Sequence, residues 1–232
     1  MSYHIDPIGI IETPFKEKFA VPRQPGLAPS ATARLKLTGE ANSPEAVRGI
    51  EQFSHLWLLF LFDQNLEAGW TPMVRPPRLG GNKKVGVFAS RSPFRPNGIG
   101  MSAVELKGVQ QKGNQMWLEL GSIDLVDGTP IVDIKPYIPY SDVIGDAHGG
   151  FARSEPAIME VTFSELAFEQ LRFHPNKQQV YAVIKEVLGQ DPRPAYKKGK
   201  PDAKEYAVKL FDLNVKFRYH GELITVTAIE RF

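Results

Sequence analysis

The stretch from Val85 to Ser102, VGVFASRSPFRPNGIGMS, constrains the possible folds more than any other part of the chain. Pro93 and Pro96 fix the backbone there, and Gly98 and Gly100 free it. No regular element passes through such a run. A short strand from Val85 to Ala89 feeds it, and an apolar element from Ile99 to Leu106 leaves it. The spacing predicts a rigid loop between two buried strands that carries Arg91, Arg95 and Asn97. Loops held by a scaffold in this way concentrate binding and catalysis. A stiff surface turn with two solvated arginines fits the same spacing. The rest of the chain is built alike: 19 prolines and 20 glycines in 232 residues favour many short elements joined by turns.

The length fits one large domain, or one large and one small. Hydrophobic residues make up 42% and charged residues 23%, so the chain has the apolar content for a true core. The longest apolar run, Leu56 to Phe62, is far too short to span a membrane. The opening MSYHIDP has no basic segment followed by an apolar one, so no secretion signal is expected. There is no cysteine, which excludes disulfides and thiol chemistry and suits a reducing, cytoplasmic setting. Net charge is only +2, but its distribution is uneven. Between Ala68 and Val104 there is no Asp or Glu, while Arg75, Arg78, Lys83, Lys84, Arg91 and Arg95 all fall there. Such a field steers anions: nucleic acid, a nucleotide or a phosphorylated metabolite. A solvated basic face fits too.

In chain order, residues 5–11 read as an edge strand around Pro7, and 31–38 as a second strand. Ser43 and Pro44 open a short helix over Glu45–Ile50. Phe53–Phe62 is the strongest strand, and its lack of alternation predicts burial on both faces. Asp63, Gln64 and Asn65 follow at its end. His55 at its start fits a structural hydrogen bond better than a base. Met101–Val109 and Gln115–Leu120 form a hairpin, turning at Lys112-Gly113-Asn114. Asp127-Gly128 marks another turn, and Ile131–Ile134 a short strand.

A boundary falls near residue 155, giving expected domains of 1–155 and 156–232. Beyond it the pattern changes. Ala157–Phe163 is a strand, Ser164 caps a helix over Glu165–Leu171, and Pro175 opens the next helix. Val180, Val183, Ile184, Val187 and Leu188 form that helix's apolar stripe, and Gly189 ends it. Three strands follow, over 206–210, 211–219 and 223–229. Two helices on a small antiparallel sheet make a two-layer α+β unit.

Dinucleotide, P-loop and nucleophile-elbow motifs are absent, and five scattered histidines do not suggest a metal site. What remains is a set of polar tips on short strands: Pro22-Arg23-Gln24, Asp63-Gln64-Asn65, Arg91 to Asn97, Asp124 to Thr129, and Tyr137 to Asp142. Residue patterns alone lead to a basic, polar cleft on a mostly β domain.

Five stretches carry a resemblance: PRQPG at 22–26, FSHLWLLFLFDQN at 53–65, GVFASRSPFRPNGIGMS at 86–102, DLVDGTPIVDIKPYIPYSD at 124–142 and DPRPAY at 191–196. On these the chain resembles the TsaA-like (YaeB-like) family. The family usually has PIGLS where this chain has Gly98-Ile99-Gly100-Met101-Ser102. The resemblance implies a mainly β fold: an N-terminal β-barrel methyltransferase domain, not of the Rossmann type, with the small C-terminal α+β domain as a possible tRNA contact. It implies transfer of a methyl group from S-adenosylmethionine to N6 of N6-threonylcarbamoyladenosine at position 37 of threonine tRNA. Implied partners are the anticodon loop of that tRNA and a second copy of the chain, with no metal, DNA or membrane.

The cofactor contacts carried over are Pro22, Arg23, Gln24, Asp63, Gln64, Arg91, Met101, Ile123, Asp124, Leu125, Val126 and Asp127. Arg91 is expected to hold the cofactor's carboxylate or to shape its loop. Asp127, or Tyr137 through a water, is expected to take the proton from N6. Arg95, Asn97, Arg193, Tyr196, Lys197 and Lys198 are the expected substrate contacts, on tRNA phosphate or the threonyl carboxylate. A same-fold methyltransferase acting on another nucleoside or a small molecule, and a non-catalytic nucleotide or RNA binder, stay open as alternatives.

Overall fold

The computed structural model describes residues 3–193, 197–198 and 202–232. In chain order its strands are β1 (Gly9–Glu12), β2 (Ala33–Leu37), β3 (His55–Leu61), β4 (Met73–Val74), β5 (Val85–Gly86), β6 (Ile99–Lys112), β7 (Gln115–Leu120), β8 (Pro130–Pro136), β9 (Glu160–Phe163), β10 (Tyr206–Leu210), β11 (Leu213–His220) and β12 (Leu223–Arg231). The helices are α1 (Asp63–Leu66), α2 (Pro139–Asp142), α3 (Glu165–Arg172) and α4 (Lys177–Gly189).

Inward alternation builds the first sheet. Leu35 and Leu37 on β2, Leu56, Leu58 and Phe60 on β3, and Met116, Leu118 and Leu120 on β7 are all buried. The sheet runs β1-β2-β7-β6-β3-β8, antiparallel throughout, and β8 returns to β1. The barrel closes at this return, and the closure is narrow. The seam has only two register pairs, Gly9–Ile131 and Ile10–Pro130, whereas β3 and β6 match along all of His55–Leu61. β1 is four residues long, and Pro130 has no N–H to give. The result is a six-stranded antiparallel sheet closed on itself as a barrel, with a narrow seam between β1 and β8.

Other expectations change: the expected strand Val85–Ala89 is a strand only at Val85–Gly86, followed by a 3-10 turn over Val87–Ala89. β3 alternates after all: Trp57, Leu59 and Leu61 are only half-buried, so one face is core and the other faces outward. An antiparallel strand with a single buried face can remain apolar on both, and composition does not separate the cases. Residues 45–49 form turns rather than a helix, and a single 3-10 turn follows over Ile50–Gln52. Ser43 Oγ does accept the Ala46 N–H, at 3.2 Å, but Gly49 takes a left-handed φ of 84° and stops propagation. The β6–β7 hairpin turns on Gly113, whose φ of 59° suits glycine.

The second sheet runs β10-β11-β12-β9. β9 pairs with β12 in parallel, so this sheet is mixed, not antiparallel. α3 packs on β12 and α4 on β9. Ser164 caps α3 by accepting the Ala167 N–H at 3.1 Å. The stripe from Val180 to Leu188 is buried as its spacing requires, although α4 starts two residues after Pro175. The two sheets are tied directly. Lys16 N donates to Lys209 O at 3.3 Å, and Phe211 N to Pro14 O at 2.7 Å. On α4, Glu186 accepts from Ser30 N and Ser30 Oγ at 2.9 and 2.7 Å. Among the described residues, no helix is long and apolar enough to cross a membrane.

Candidate active site

Where β3 finishes and β8 begins, the first sheet opens into a cavity of about 520 Å³. Small-molecule sites commonly run from about 300 to 1,000 Å³. Its floor comes from the end of β3. Phe60 and Phe62 meet edge to face, with ring centroids 5.2 Å apart. They can do so because Gly100 lies opposite Phe60, and a Cβ there would sit 2.4 Å from the ring. Phe62 N then donates to Gly98 O at 2.8 Å, which fixes the turn into α1. Gly98 itself has a φ of 60°, closed to proline, so it does more than loosen the loop.

The loop before β2 supplies a second wall. Lys18 Nζ reaches across to Gln64 O at 3.2 Å and Asn65 Oδ1 at 2.9 Å, fastening that wall to α1. The third wall is Asp124 to Val126, after β7. Here the buried Ser102 hydroxyl of β6 donates to Asp124 Oδ1 at 2.5 Å. Burial raises the Asp124 pKa above its ordinary value, and the Ser102 hydrogen bond and the Arg91 charge offset this in part. The C-terminal half closes the cavity with Val187, Gln190 and Pro192 at the end of α4. Gln190 Nε2 donates to Leu27 O at 3.1 Å and holds this wall in register.

Of the expected cofactor contacts, Pro22, Arg23, Asp63, Gln64, Asp124, Leu125 and Val126 line this cavity. Gln24 and Arg91 lie outside the lining and are joined to each other, Arg91 Nη1 donating to Gln24 Oε1. Ile123 is fully buried in the core behind the wall. Met101 is half-exposed on β6 opposite Leu59, on the outward face.

The two expected proton acceptors are elsewhere. Asp127 Oδ1 accepts the Thr13 N–H at 2.8 Å, and Oδ2 pairs with Lys16 Nζ at 2.8 Å, so this carboxylate pins the turn before β8. Tyr137 stacks near Trp57 and His55, at centroid distances of 5.6 and 6.2 Å, beside the first residues of β3. Asp63 follows the last. A seven-residue strand separates the two ends by about 20 Å. The polar tip from Tyr137 to Asp142 therefore points away from the cavity.

The expected substrate contacts also divide. Arg193 is buried, with Nε and Nη2 on the Asp191 carboxylate, and is closed to any phosphate. Lys197 Nζ is held by Tyr206 Oη at 2.8 Å and Asp202 at 3.3 Å. Arg95 Nη1 donates to Ser90 O at 3.1 Å and braces its own loop. Asn97 is exposed with a φ of 63°, a turn position. Tyr196 lies outside the described residues. Lys198 remains partly exposed, its Nζ 4.0 Å from Asp191. Arg23 feels both Asp191 and Arg78: burial lowers its pKa first, Arg78 lowers it further, and Asp191 opposes both. Lys198 is likewise lowered by burial, with Asp191 opposing and Arg23 and Arg193 adding repulsion. More cations than carboxylates thus crowd one rim of the cavity.

Sequence reasoning missed Ser102, Phe60 and Phe62, the Lys18 brace and the α4 wall, and placed Arg78 only in the general basic field. A signal for Ser102 existed: it is a hydroxyl at an inward position of β6, in phase with the buried Val104. Nothing in the sequence points to the Gln190 contact.

Comparison with known proteins bears on what the cavity is for. Residues 10–143 match the model for the tRNA-methyltransferase O N-terminal domain, and residues 156–232 match that for the TrmO C-terminal domain. The chain belongs to the tRNA-methyltransferase O family. It is 53% identical over 231 residues to the tRNA (adenine(37)-N6)-methyltransferase of Escherichia coli (strain K12), covering 99% of this chain and 98% of that protein. A human tRNA (adenine(37)-N6)-methyltransferase is 42% identical over 139 residues, 59% of this chain and 30% of the human one. The crystal structure of TrmO from Pseudomonas aeruginosa superposes with a TM-score of 0.81 at 41% identity, covering 99% of each chain. Family membership accounts for the cavity spanning both halves, since both family segments contribute walls.

Proposed function

We propose that this protein uses S-adenosylmethionine to methylate N6 of N6-threonylcarbamoyladenosine at position 37 of threonine tRNA. The observation that carries the reading is convergence: three separate segments, 22–23, 63–64 and 124–126, meet in one cavity of a chain half identical to a tRNA (adenine(37)-N6)-methyltransferase. The donor set fits the cofactor. Phe60, Phe62, Leu125 and Val126 offer apolar surface for an adenosine, Asp63 offers a carboxylate for a zwitterion's ammonium, and Arg23 and Lys18 offer cations for its carboxylate. When bound, S-adenosylmethionine supplies a methyl group already activated on a sulfonium. The protein's task is then to orient a nucleoside against that methyl and to exclude water.

Gln24 and Arg91 join the cofactor set through their mutual hydrogen bond at the cavity edge. Lys198 and Arg78, beside Arg23, are the substrate-facing cations, suited to tRNA phosphate or to the threonyl carboxylate. Residues 1–155 act as the cofactor-binding domain, and 156–232 as the domain that completes the cavity and meets the anticodon loop. The working form is a cytoplasmic homodimer.

The test is methyl transfer from labelled S-adenosylmethionine to two transcripts of one threonine tRNA, with and without the threonylcarbamoyl group. Label confined to the modified nucleoside at position 37 supports both reaction and substrate. Label on neither transcript, with tight cofactor binding, moves the substrate to another nucleoside or small molecule.

A further inference from the structure

We infer that Asp124, not Asp127, is the group that takes the N6 proton during methyl transfer. The inference rests on the methyltransferase reading above and adds the identity of its base. The substrate nitrogen is part of a urea-like N–H, so its lone pair is delocalised and a poor nucleophile. It must shed its proton as it attacks, or the product carries an unfavourable positive charge. The proton on N6 passes to an Asp124 carboxylate oxygen. The N6 pair forms the bond to the methyl carbon, and the methyl–sulfur pair leaves with sulfur.

Geometry selects Asp124 among the nearby carboxylates. Asp127 is spent on Thr13 and Lys16 and does not line the cavity. Asp63 lines it but is exposed at the start of α1, where water competes for its oxygens. Asp124 lines it and is partly buried. One of its oxygens is aimed by a buried hydroxyl, Ser102 Oγ at 2.5 Å, on a strand that is rigidly paired to β3. A buried hydroxyl on an inward strand face is costly unless it has a partner, so Ser102 is kept there by Asp124. Arg91 is the charge that acts on this carboxylate, and Lys18, Arg23 and Asp63 line the same cavity. Desolvation makes Asp124 a stronger base than a surface carboxylate, while Ser102 and Arg91 keep its ionised form populated.

Asp124→Asn separates basicity from structure, because the asparagine oxygen still accepts from Ser102. The expected result is a single-turnover rate on threonylcarbamoylated tRNA reduced by about 10²–10⁴-fold, with cofactor dissociation, by calorimetry, within a few-fold of wild type. A second readout needs no turnover. In the carboxyl ¹³C spectrum Asp124 titrates above the ordinary carboxylate range, and Ser102→Ala moves it higher by removing a donor to the charged form. Wild-type rate in Asp124→Asn overturns the inference, as does a rate loss matched by lost cofactor affinity. An unshifted Asp124 signal also overturns it. Failure of the wild-type protein itself to methylate the modified tRNA sinks the functional reading instead, which keeps the two failures apart.

Discussion

Arg193 lies over Tyr219, its guanidinium carbon 3.5 Å from the ring centroid, while Nε and Nη2 grip the Asp191 carboxylate at 2.9 and 3.0 Å. This is a fold-holding cluster at the edge of the cavity. Burial works to raise the Asp191 pKa, but the Arg193 hydrogen bonds and the Lys198 charge overrule it, leaving it below the ordinary value. Arg193→Ala strands a buried carboxylate and is expected to cost about 3–5 kcal/mol of stability. Arg193→Lys keeps the charge, loses the fork and the stacking, and falls between. Denaturant unfolding at neutral pH checks both. A depressed carboxylate contributes stability above its unfolded pKa and loses it as pH falls through the folded one. The gap between wild type and Arg193→Ala should therefore shrink below about pH 4. An unchanged unfolding midpoint with lost tRNA binding would return Arg193 to the substrate.

Asp127 gives the opposite pairing of effects. Its carboxylate holds the Thr13 N–H and Lys16 but is one-third exposed, so solvent screens the ion pair. Asp127→Ala should cost about 1–2 kcal/mol, mostly from the orphaned backbone donor. Turnover at saturating cofactor and tRNA should stay within about twofold of wild type, since no transition-state contact is removed. A hundredfold loss of turnover at unchanged stability would restore Asp127 as the base.

The elements were legible wherever one periodicity dominated. The β6–β7 hairpin, the Val215, Phe217 and Tyr219 face of β11 and the α4 stripe all have one buried side and one polar one. β3 was misread because its outward residues, Trp57, Leu59 and Leu61, are apolar as well. The narrow β1–β8 seam was illegible, because it depends on where Pro130 meets a four-residue strand. In the site, polar tips beside prolines and glycines led to the loops. Direction is what they lack: Asp124 and Asp127 are three residues apart, yet one lines the cavity and the other ties the turn. Arg193 looked like a ligand group because an arginine between prolines gives no sign of burial, and its partner Tyr219 arrives from a distant strand.

Gly100 tests whether the aromatic floor is set by close approach. An added Cβ would lie 2.4 Å from Phe60 and 2.9 Å from Phe62. Gly100→Ala must push both rings, and overpacking of this kind costs about 1–3 kcal/mol. The rings line the cavity, so cofactor affinity should fall with stability, by roughly tenfold for each 1.4 kcal/mol that reaches the site. Gly108→Ala on the same strand meets nothing within 4 Å and is the control. Equal behaviour of the two variants in thermal unfolding and cofactor titration would rule out the floor's dependence on Gly100.

Lys198→Ala and Arg78→Ala test which cations meet tRNA. Both residues lie near Arg23 on the rim, where burial and repulsion among the cations work against the charged forms of Arg23 and Lys198. That cost is relieved by a bound anion, and a phosphate contact releases condensed counterions. Each of Lys198→Ala and Arg78→Ala should then weaken tRNA binding and reduce the slope of log affinity against log salt by about one. Arg193→Lys, buried and unable to reach a phosphate, should leave the slope as it is. The threonyl carboxylate is a different anion with a different signature. A variant that discriminates between modified and unmodified tRNA less well, with its salt slope intact, assigns that cation to the carboxylate. Unchanged slopes and unchanged discrimination in both alanine variants would mean that the rim cations are solvated and that tRNA is held elsewhere.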